Sequence, residues 1–349
     1  MAQARAGVAC FGEALIDFLA RPPTPSVAGD AHASGPPIKT GDAREPSAPP
    51  VFLAQPGGAP ANVAVGVARL GGDARFIGML ARDLFGDQLL AALQAHGVDV
   101  AQVRRTGQAP TALAFVSLDA AGERAFAFYR PPAADLLFRA ADFEAAAFER
   151  LAVFHACSNS LTDPAIAEAT LHGLALAAAH GVLVSVDLNL RPALWPRDVD
   201  PLPVAWRALA HAHLVKLSRG ELAFLADGGP EAAAIARLFA QATRVLVVTD
   251  GAAPVRWWTR AAHGSAPTFP VNAVDTTAAG DAFVAALLWR LVLGGIGVDT
   301  LAQAFEAPDL RDDLLRHAAA AGALATTRHG AFDAMPEAAA LRTLLDADA

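Results

Sequence analysis

An α/β fold is what this sequence predicts: a mostly parallel sheet flanked by helices, with a small β-sheet lid. Three observations carry that reading. From Leu151 onward, short apolar runs (LAVFH, VLVSVD, HLVKL, RVLVVT) alternate with Ala-rich helical segments. Strands that are apolar at nearly every position are buried on both faces, as in a parallel sheet covered by helices on each side. Earlier, TALAFVSLDAAGERAFAFYR alternates apolar and polar positions around a Gly-containing turn, the pattern of a small two-stranded unit. Apolar residues make up 54% of the 349 and charged residues only 18%, which is enough to offset chain entropy with a large core.

Taken in order, VACFGEALIDFLA reads as a β segment. The stretch Arg21 to Pro50, with eight prolines among Gly, Ser and Ala, reads as an irregular insertion within a domain. VFLAQPGGAPANVAVGVARLGG reads as strand, glycine turn and helix. Pro60 suits the first turn of that helix, Val63, Val67 and Leu70 share a face, and Gly71 suits the stop. Lid strands are expected from about residues 11–19 and 111–130. After HLVKL, Ser218 and Glu221 have capping-box spacing and start another helix. No tandem repeat interrupts the pattern, so residues 7–345 are read as one domain.

A net charge of -8 without a basic block argues against nucleic-acid binding. Two distant cysteines, Cys10 and Cys157, form neither a disulfide framework nor a metal motif. Glu13 and Asp17 interrupt the N-terminal apolar stretch, and no run of about 18 apolar residues suggests a membrane span. A soluble cytoplasmic protein is the expectation. Several chemistries lack their motifs: there is no G-x-x-x-x-G-K-[ST], no H-R-D or D-F-G, no G-x-G-x-x-G after a strand and no H-E-x-x-H.

The stretch VDTTAAGDAFVAALL, residues 274–288, holds the strongest chemical signal. Its helix has apolar residues on all sides and so is expected to be buried. Small residues at Ala278, Ala279 and Gly280 would let a phosphate reach the unsatisfied amides and positive dipole end of that helix. Asp281 is either a first-turn acid stabilising the dipole or a general base beside an anion hole. In the second case it takes a proton from a hydroxyl attacking a bound phosphoryl group, the chemistry of a small-molecule kinase. Gly57, Gly58 and Asn62 in PGGAPAN suit either a plain strand-to-helix turn or a sugar site. Asp17 is either a buried capped acid or an acceptor for sugar hydroxyls. Arg130, after Tyr129, either closes over a substrate or is solvated.

With these residues in hand, the chain resembles the ribokinase-like sugar kinases, the PfkB carbohydrate kinase family. GGAPANVAVGVARLGGDARFIGMLARDLFGDQLLAALQAHGVDV is similar to the family's N-terminal signature and VDTTAAGDAFVAALL to its C-terminal one. The resemblance implies a Rossmann-like core with a β lid, ATP as donor, Mg²⁺ and a monovalent cation such as K⁺. It makes Asp281 the base and gives the anion hole to the backbone of Ala278, Ala279, Gly280 and Asp281. Sugar contacts fall on Asp17, Gly57, Gly58, Asn62, Tyr129, Arg130 and Asp281. The ATP side takes Asn189 near the phosphates and magnesium, with Lys216, Thr249, Gly251 and Gly280. Asp275, Thr277, Ala325, Arg328 and Gly330 match the cation loops.

GEALIDF, PGGAPAN, FYRPPAAD and DLNLRPALWP look most like the fructokinases, implying D-fructose as acceptor and fructose 6-phosphate as product. The 2-keto-3-deoxygluconate kinases and ribokinases are alternatives, and a lid-mediated homodimer is a further expectation. Two departures matter. Ala278 replaces a glycine usual in the family, and Pro254, which has no N–H, falls in TDGAAPVRWW where a second glycine is usual. They motivate a rival reading, a sugar-binding regulatory protein on a degenerate kinase scaffold. A dinucleotide-linked enzyme is a remote third.

Overall fold

The computed structural model describes residues 6–21, 51–118 and 124–347. The proline-rich stretch beyond Arg21 lies outside them. The chain opens with β1 (Ala6–Phe11), β2 (Leu15–Arg21), β3 (Val51–Gly57) and α1 (Ala59–Arg69). It continues through β4 (Ala74–Ala81), α2 (Leu84–Ala95), β5 (Val103–Thr106), β6 (Leu113–Leu118) and β7 (Arg124–Tyr129). Next come β8 (Leu151–Cys157), α3 (Pro164–Ala179), β9 (Leu183–Asp187), α4 (Leu202–Leu209) and β10 (Leu214–Ser218). The remainder comprises α5 (Arg219–Ala226), α6 (Glu231–Phe239), β11 (Val245–Asp250), β12 (Ala253–Trp258) and β13 (His263–Ala266), then α7 (Ala279–Leu293), α8 (Leu301–Glu306), α9 (Pro308–Thr326) and α10 (Ala338–Ala347).

Nine strands form the main sheet, in the order β13-β12-β11-β10-β9-β8-β1-β4-β5. All neighbours pair in parallel from β11 to β5, and β12 and β13 add an antiparallel edge. Alternation along each strand feeds two separate cores. Val8 and Cys10 of β1, with Val245 and Val247 of β11, pack toward the side holding α1, α7 and α9. Ala9 and Phe11, with Leu246 and Val248, pack toward the side holding α3, α4, α5 and α6. Both faces are therefore dry, which is why these strands read as unbroken apolar runs.

Two local starts were written into the sequence. Ser218 Oγ accepts from the Glu221 amide at 3.2 Å while Glu221 returns a carboxylate to the Ser218 amide at 2.6 Å, closing the capping box of α5. Pro60 occupies the first turn of α1, whose fixed φ suits it, and Gly71 follows the helix with φ 85°. The helix after VDTTAAG is buried from Asp281 through Leu288. It crosses α1 at close range, since a Cβ on Gly66 would stand 2.6 Å from the Ala285 Cβ.

The second sheet is four-stranded, in the order β3-β2-β6-β7. Its make-up differs from expectation in two respects. Residues 6–11 belong to the main sheet, so the lid strand begins at Leu15. VFLAQPG also contributes, as β3, because it pairs antiparallel with β2 from Gly57 against Leu15 to Val51 against Arg21.

Candidate active site

In an open parallel sheet ligands bind beyond the carboxyl ends of the strands, and the polar residues of this chain gather there. Glu13 follows β1, Asn159 follows β8, Asp187 ends β9, and Thr249 and Asp250 end β11. The N-terminus of α7 faces the same end. Ala278 caps it in the left-handed conformation (φ 60°) without a side-chain hydrogen bond. Among the described residues no backbone carbonyl or side chain accepts from the Gly280 or Asp281 amide. Two open amides at a helix start, with the dipole behind them, form a candidate anion hole.

On one side of this hole lies a mostly apolar cavity of about 650 Å³, running from the β11–β12 turn to the first turn of α7. Thr249, Gly251, Val255, Phe269, Gly280 and Ala323 are among its walls. That shape suits a nucleotide with its base toward the apolar end and its phosphates at α7. Pro254 is absent from the lining and sits in β12, beside a register shift between Val248 and Asp250. A proline at an irregularity removes no ladder hydrogen bond, so its missing N–H is harmless there.

On the other side the lid meets α1. Asn62 Nδ2 donates to Asp281 Oδ2 at 2.8 Å, both residues being buried. Glu13 Oε1 accepts from the Ala59 amide at 3.1 Å and from Asn159 Nδ2 at 2.9 Å. The two glycines are required by close approach: a Cβ on Gly57 would lie 2.2 Å from Asp17 Oδ2, and one on Gly58, where φ is 107°, would lie 2.7 Å from the Glu13 carbonyl. Asp17, Gly57, Gly58, Asn62 and Asp281 are thus brought to one place.

The electrostatics of this cluster favour protonation. Burial pushes the Asp281 carboxyl up to about 6; Asn62, Arg191 and Lys216 oppose that rise while Asp187 adds to it. Burial, then the charges of Asp281, Asp275 and Glu13, push Asp17 up to about 7. Glu13 is likewise raised by burial, against the pull of Arg130 and the Asn159 hydrogen bond. An acid poised near neutrality within reach of an anion hole is suited to take a proton.

The phosphate side is differently furnished. Lys216 Nζ lies 2.9 and 3.2 Å from the two oxygens of Asp187. The Glu221 carboxylate accepts from the Leu190 amide at 2.8 Å as well as from Ser218. Asp187 Oδ1 accepts from the Asn189 amide at 3.2 Å, and these contacts hold Asn189 in a left-handed conformation (φ 40°). Below α7, the buried Asp275 carboxylate accepts from the Thr277 amide at 2.7 Å and the Gly330 amide at 3.2 Å, while its own amide donates to the Thr326 carbonyl at 3.0 Å. Asp275, Thr277 and Gly330 are joined by these bonds, with Arg328 and the end of α9 at Ala325 adjoining through the Arg328 amide, 3.4 Å from the Ala325 carbonyl.

A family model described as pfkB family carbohydrate kinase matches residues 6–338. The chain belongs to that family. This carbohydrate kinase is 40% identical over 347 residues to fructokinase-1 of Zea mays, covering 99% of each chain. Its structure is similar to that of a fructokinase with bound ATP from Xylella fastidiosa, with TM-score 0.88, 46% identity and 98% of each chain covered. It is also similar to a double mutant of the fructokinase of Vibrio cholerae O395 in a fructose-, ADP- and potassium-bound form, with TM-score 0.80, 30% identity, and 99% and 100% of the two chains covered.

Two expected sugar contacts of the kinase lie elsewhere. Tyr129 pairs with Leu113, which pairs with Ile16, so by alternation it projects from the lid face opposite Asp17. It is 67% exposed and packs edge-on against Phe115. Phe128 occupies the Asp17 face instead, against Leu15, Ala112, Ala114 and Ala133. Arg130 is neither solvated nor poised to close. It is buried, with Nε and Nη2 on Asp135 Oδ2 at 2.9 and 2.6 Å and Nη1 on the Asn159 carbonyl and Thr162 hydroxyl at 2.7 and 2.9 Å. It braces the Asn159 loop from beneath.

Glu13, Asn159, Asp187, Glu221 and Phe128 are the site residues that sequence reasoning did not single out as functional. The available signal was positional: an acid or amide directly after an apolar strand, such as Asp187 in VLVSVD.

Proposed function

We propose that this carbohydrate kinase transfers the γ-phosphoryl group of ATP to D-fructose, giving fructose 6-phosphate and ADP. The observation that carries the chemistry is Asp281: a buried carboxylate in the first turn of α7, bonded to Asn62 on the sugar side and flanked by open amides on the phosphate side. The fructokinases it resembles, one with bound ATP and one with fructose, ADP and potassium, support the choice of substrates.

In this reading the sugar lies between Asp17, the Gly57–Gly58 turn and Asn62. Asp281 accepts the proton of the attacking hydroxyl as that oxygen bonds to the γ-phosphorus and the bond to ADP breaks. The Gly280 and Asp281 amides stabilise the charge of the transferring group. Asn62 holds the Asp281 carboxylate in orientation through a neutral donor, which leaves the acid basic.

Magnesium, which offsets phosphate charge, fits the Asn189 end. The Asn189 side chain has no partner among the described residues, while Asp187 and Glu221 are engaged by Lys216 and by backbone amides. This suits an ion that keeps phosphate oxygens and waters as ligands. A potassium ion fits the loops of Asp275, Thr277, Ala325, Arg328 and Gly330, where the buried Asp275 carboxylate, bonded to the Thr277 and Gly330 amides, would supply its counter-charge. A cytoplasmic homodimer paired through the lid completes the proposal. The outer lid face exposes Phe52 and Tyr129, which both pack against Phe115, an apolar patch that a second lid would cover. Among the described residues no helix is long and apolar enough to cross a membrane.

A coupled ADP-release assay over fructose, ribose and 2-keto-3-deoxygluconate tests the substrate. The expected result is the highest kcat/KM on fructose, and preference for another of the three would move the assignment to it. The regulatory-protein reading predicts sugar binding by calorimetry without turnover.

A further inference from the structure

Only two of the 27 basic residues are lysines, and Lys216 is the one among the described residues. A chain that uses arginine almost everywhere keeps a lysine in a buried position, where its side chain is 8% exposed. The geometry gives a reason. Lys216 on β10 is the direct neighbour of Asp187 on β9, and its Nζ would lie 3.1 Å from a Cβ on Gly280. The slim ammonium therefore rests against the first turn of α7, where a planar guanidinium has no comparable room.

Three buried acids, Asp187, Glu221 and Asp281, act on this cation. Glu221 spends both its oxygens on backbone amides. Of the other two, the ammonium lies with Asp187, leaving Asp281 to the neutral donor Asn62. We propose that Asp187 is a positioning residue that holds Lys216 at the anion hole, where its charge faces the transferring phosphoryl group, and keeps it from pairing with Asp281. An ion pair between Lys216 and Asp281 would remove both functions at once. It would tie the base to a cation that disfavours its protonation, and it would withdraw positive charge from the phosphate side. Burial works against the ammonium, but Asp187 and Glu221 outweigh it and keep Lys216 firmly charged.

The proposal rests on Asp281 as base and is tested separately from it. Asp187→Asn keeps the shape and the acceptor for the Asn189 amide but removes the counter-charge. Expected is a fall in kcat of roughly 10²-fold, with KM for fructose and for ATP nearly unchanged. The acid limb of the kcat/KM profile should move to lower pH, because Asp281 loses an acidic neighbour and gains a cationic one. The groups facing Asp281 that could set this limb are Cys10 on β1, Asp17 on β2, Cys157 on β8, Asp187, Arg191 after β9 and Lys216 on β10. In a Lys216→Met background, Asp187→Asn should cost nothing further in kcat. An unmoved acid limb, or losses that multiply in the double variant, would overturn the proposal.

Should a variant not fold, the wild-type enzyme still decides. With lysine labelled by ¹³C at the ε-carbon only two signals arise, and Lys39→Arg assigns them. Adding fructose, magnesium, ADP and aluminium fluoride should shift the Lys216 signal, and a signal left in place would overturn the placement. Full activity in Asp281→Asn would instead sink the base assignment, while this spectroscopic result would stand unaffected.

Discussion

The two halves of the site are built to opposite rules. On the phosphate side, beyond the main sheet, the charges are already matched: Lys216 with Asp187, Glu221 with two amides, Asp275 with two more. On the sugar side, under the lid, buried oxygens of Gln55, Asn62 and Asn159 have no hydrogen-bond partner among the described residues, and burial raises the proton affinity of Glu13, Asp17 and Asp281, with the charges of Asp281 and Glu13 adding to the rise at Asp17. A phosphate carries its own charge and needs a rigid, charge-balanced cradle. A sugar brings only hydroxyls, so its half keeps open acceptors that the substrate itself satisfies.

The sharpest way to break this contrast is at the residue shared by both halves. Asp281→Asn should lower kcat by about 10³-fold, within the usual span for a general base, while keeping the bond to Asn62. The same variant should be more stable than wild type at pH 8, because it removes a buried acid whose folded carboxyl sits near 6 instead of 3.8. The sign follows from linkage: the wild-type folded state binds the proton more tightly, so its disadvantage of up to about 3 kcal/mol is complete above pH 6 and fades as pH falls toward 4. Melting curves of both proteins across that range would measure it. Equal pH dependence in the two would show that Asp281 is not raised.

Next in size, Asp17→Asn should raise KM for fructose roughly 10- to 100-fold, the loss expected for one charged hydrogen bond, with kcat changed much less. A loss confined to kcat would place Asp17 on the wrong half. Smaller again is the pair on β7. Phe128→Ala should raise KM for the sugar several-fold or lower stability, whereas Tyr129→Phe should leave steady-state kinetics within about twofold, as for a surface change away from the site. The reverse order would show that the lid turns its other face inward. Smallest is Ala278→Gly. Left-handed backbone costs alanine about 1 kcal/mol more than glycine, offset in part by glycine's greater freedom when unfolded. Expected is a gain of under about 1 kcal/mol in melting experiments and unchanged turnover, since a methyl group removes no amide from the hole.

Legibility in the sequence follows the same division. The main sheet could be read because strands dry on both faces leave continuous apolar runs, and α7 because its charged and small preamble contrasts so sharply with its apolar body. The capping box at Ser218 and Glu221 declared itself by spacing alone. The lid resisted. FAFYR alternates, but an aromatic at both 128 and 129 leaves the inward face undecided until the register with β6 and β2 is known. VFLAQPG carries no sign of whether it joins one sheet or the other. Arg130 resisted too, because nothing in FYRPPAAD marks Asp135, five residues on, as the buried acid that holds its guanidinium. Glu13 and Asn159, which meet across 146 positions, have no local spacing to betray them.

The crossing of α1 and α7 has a mechanical consequence for the chemistry. Asn62 lies one turn before Gly66, and Asp281 one turn before Ala285, so the two candidate-site groups sit the same distance up two rods clasped where Gly66 meets Ala285. The clasp acts as a caliper whose jaw width is a missing methyl. Anything that wedges the rods apart there, including an alanine at 66, opens the gap between amide and carboxylate a full turn away. The alignment of the proposed base is thus gauged in dry core.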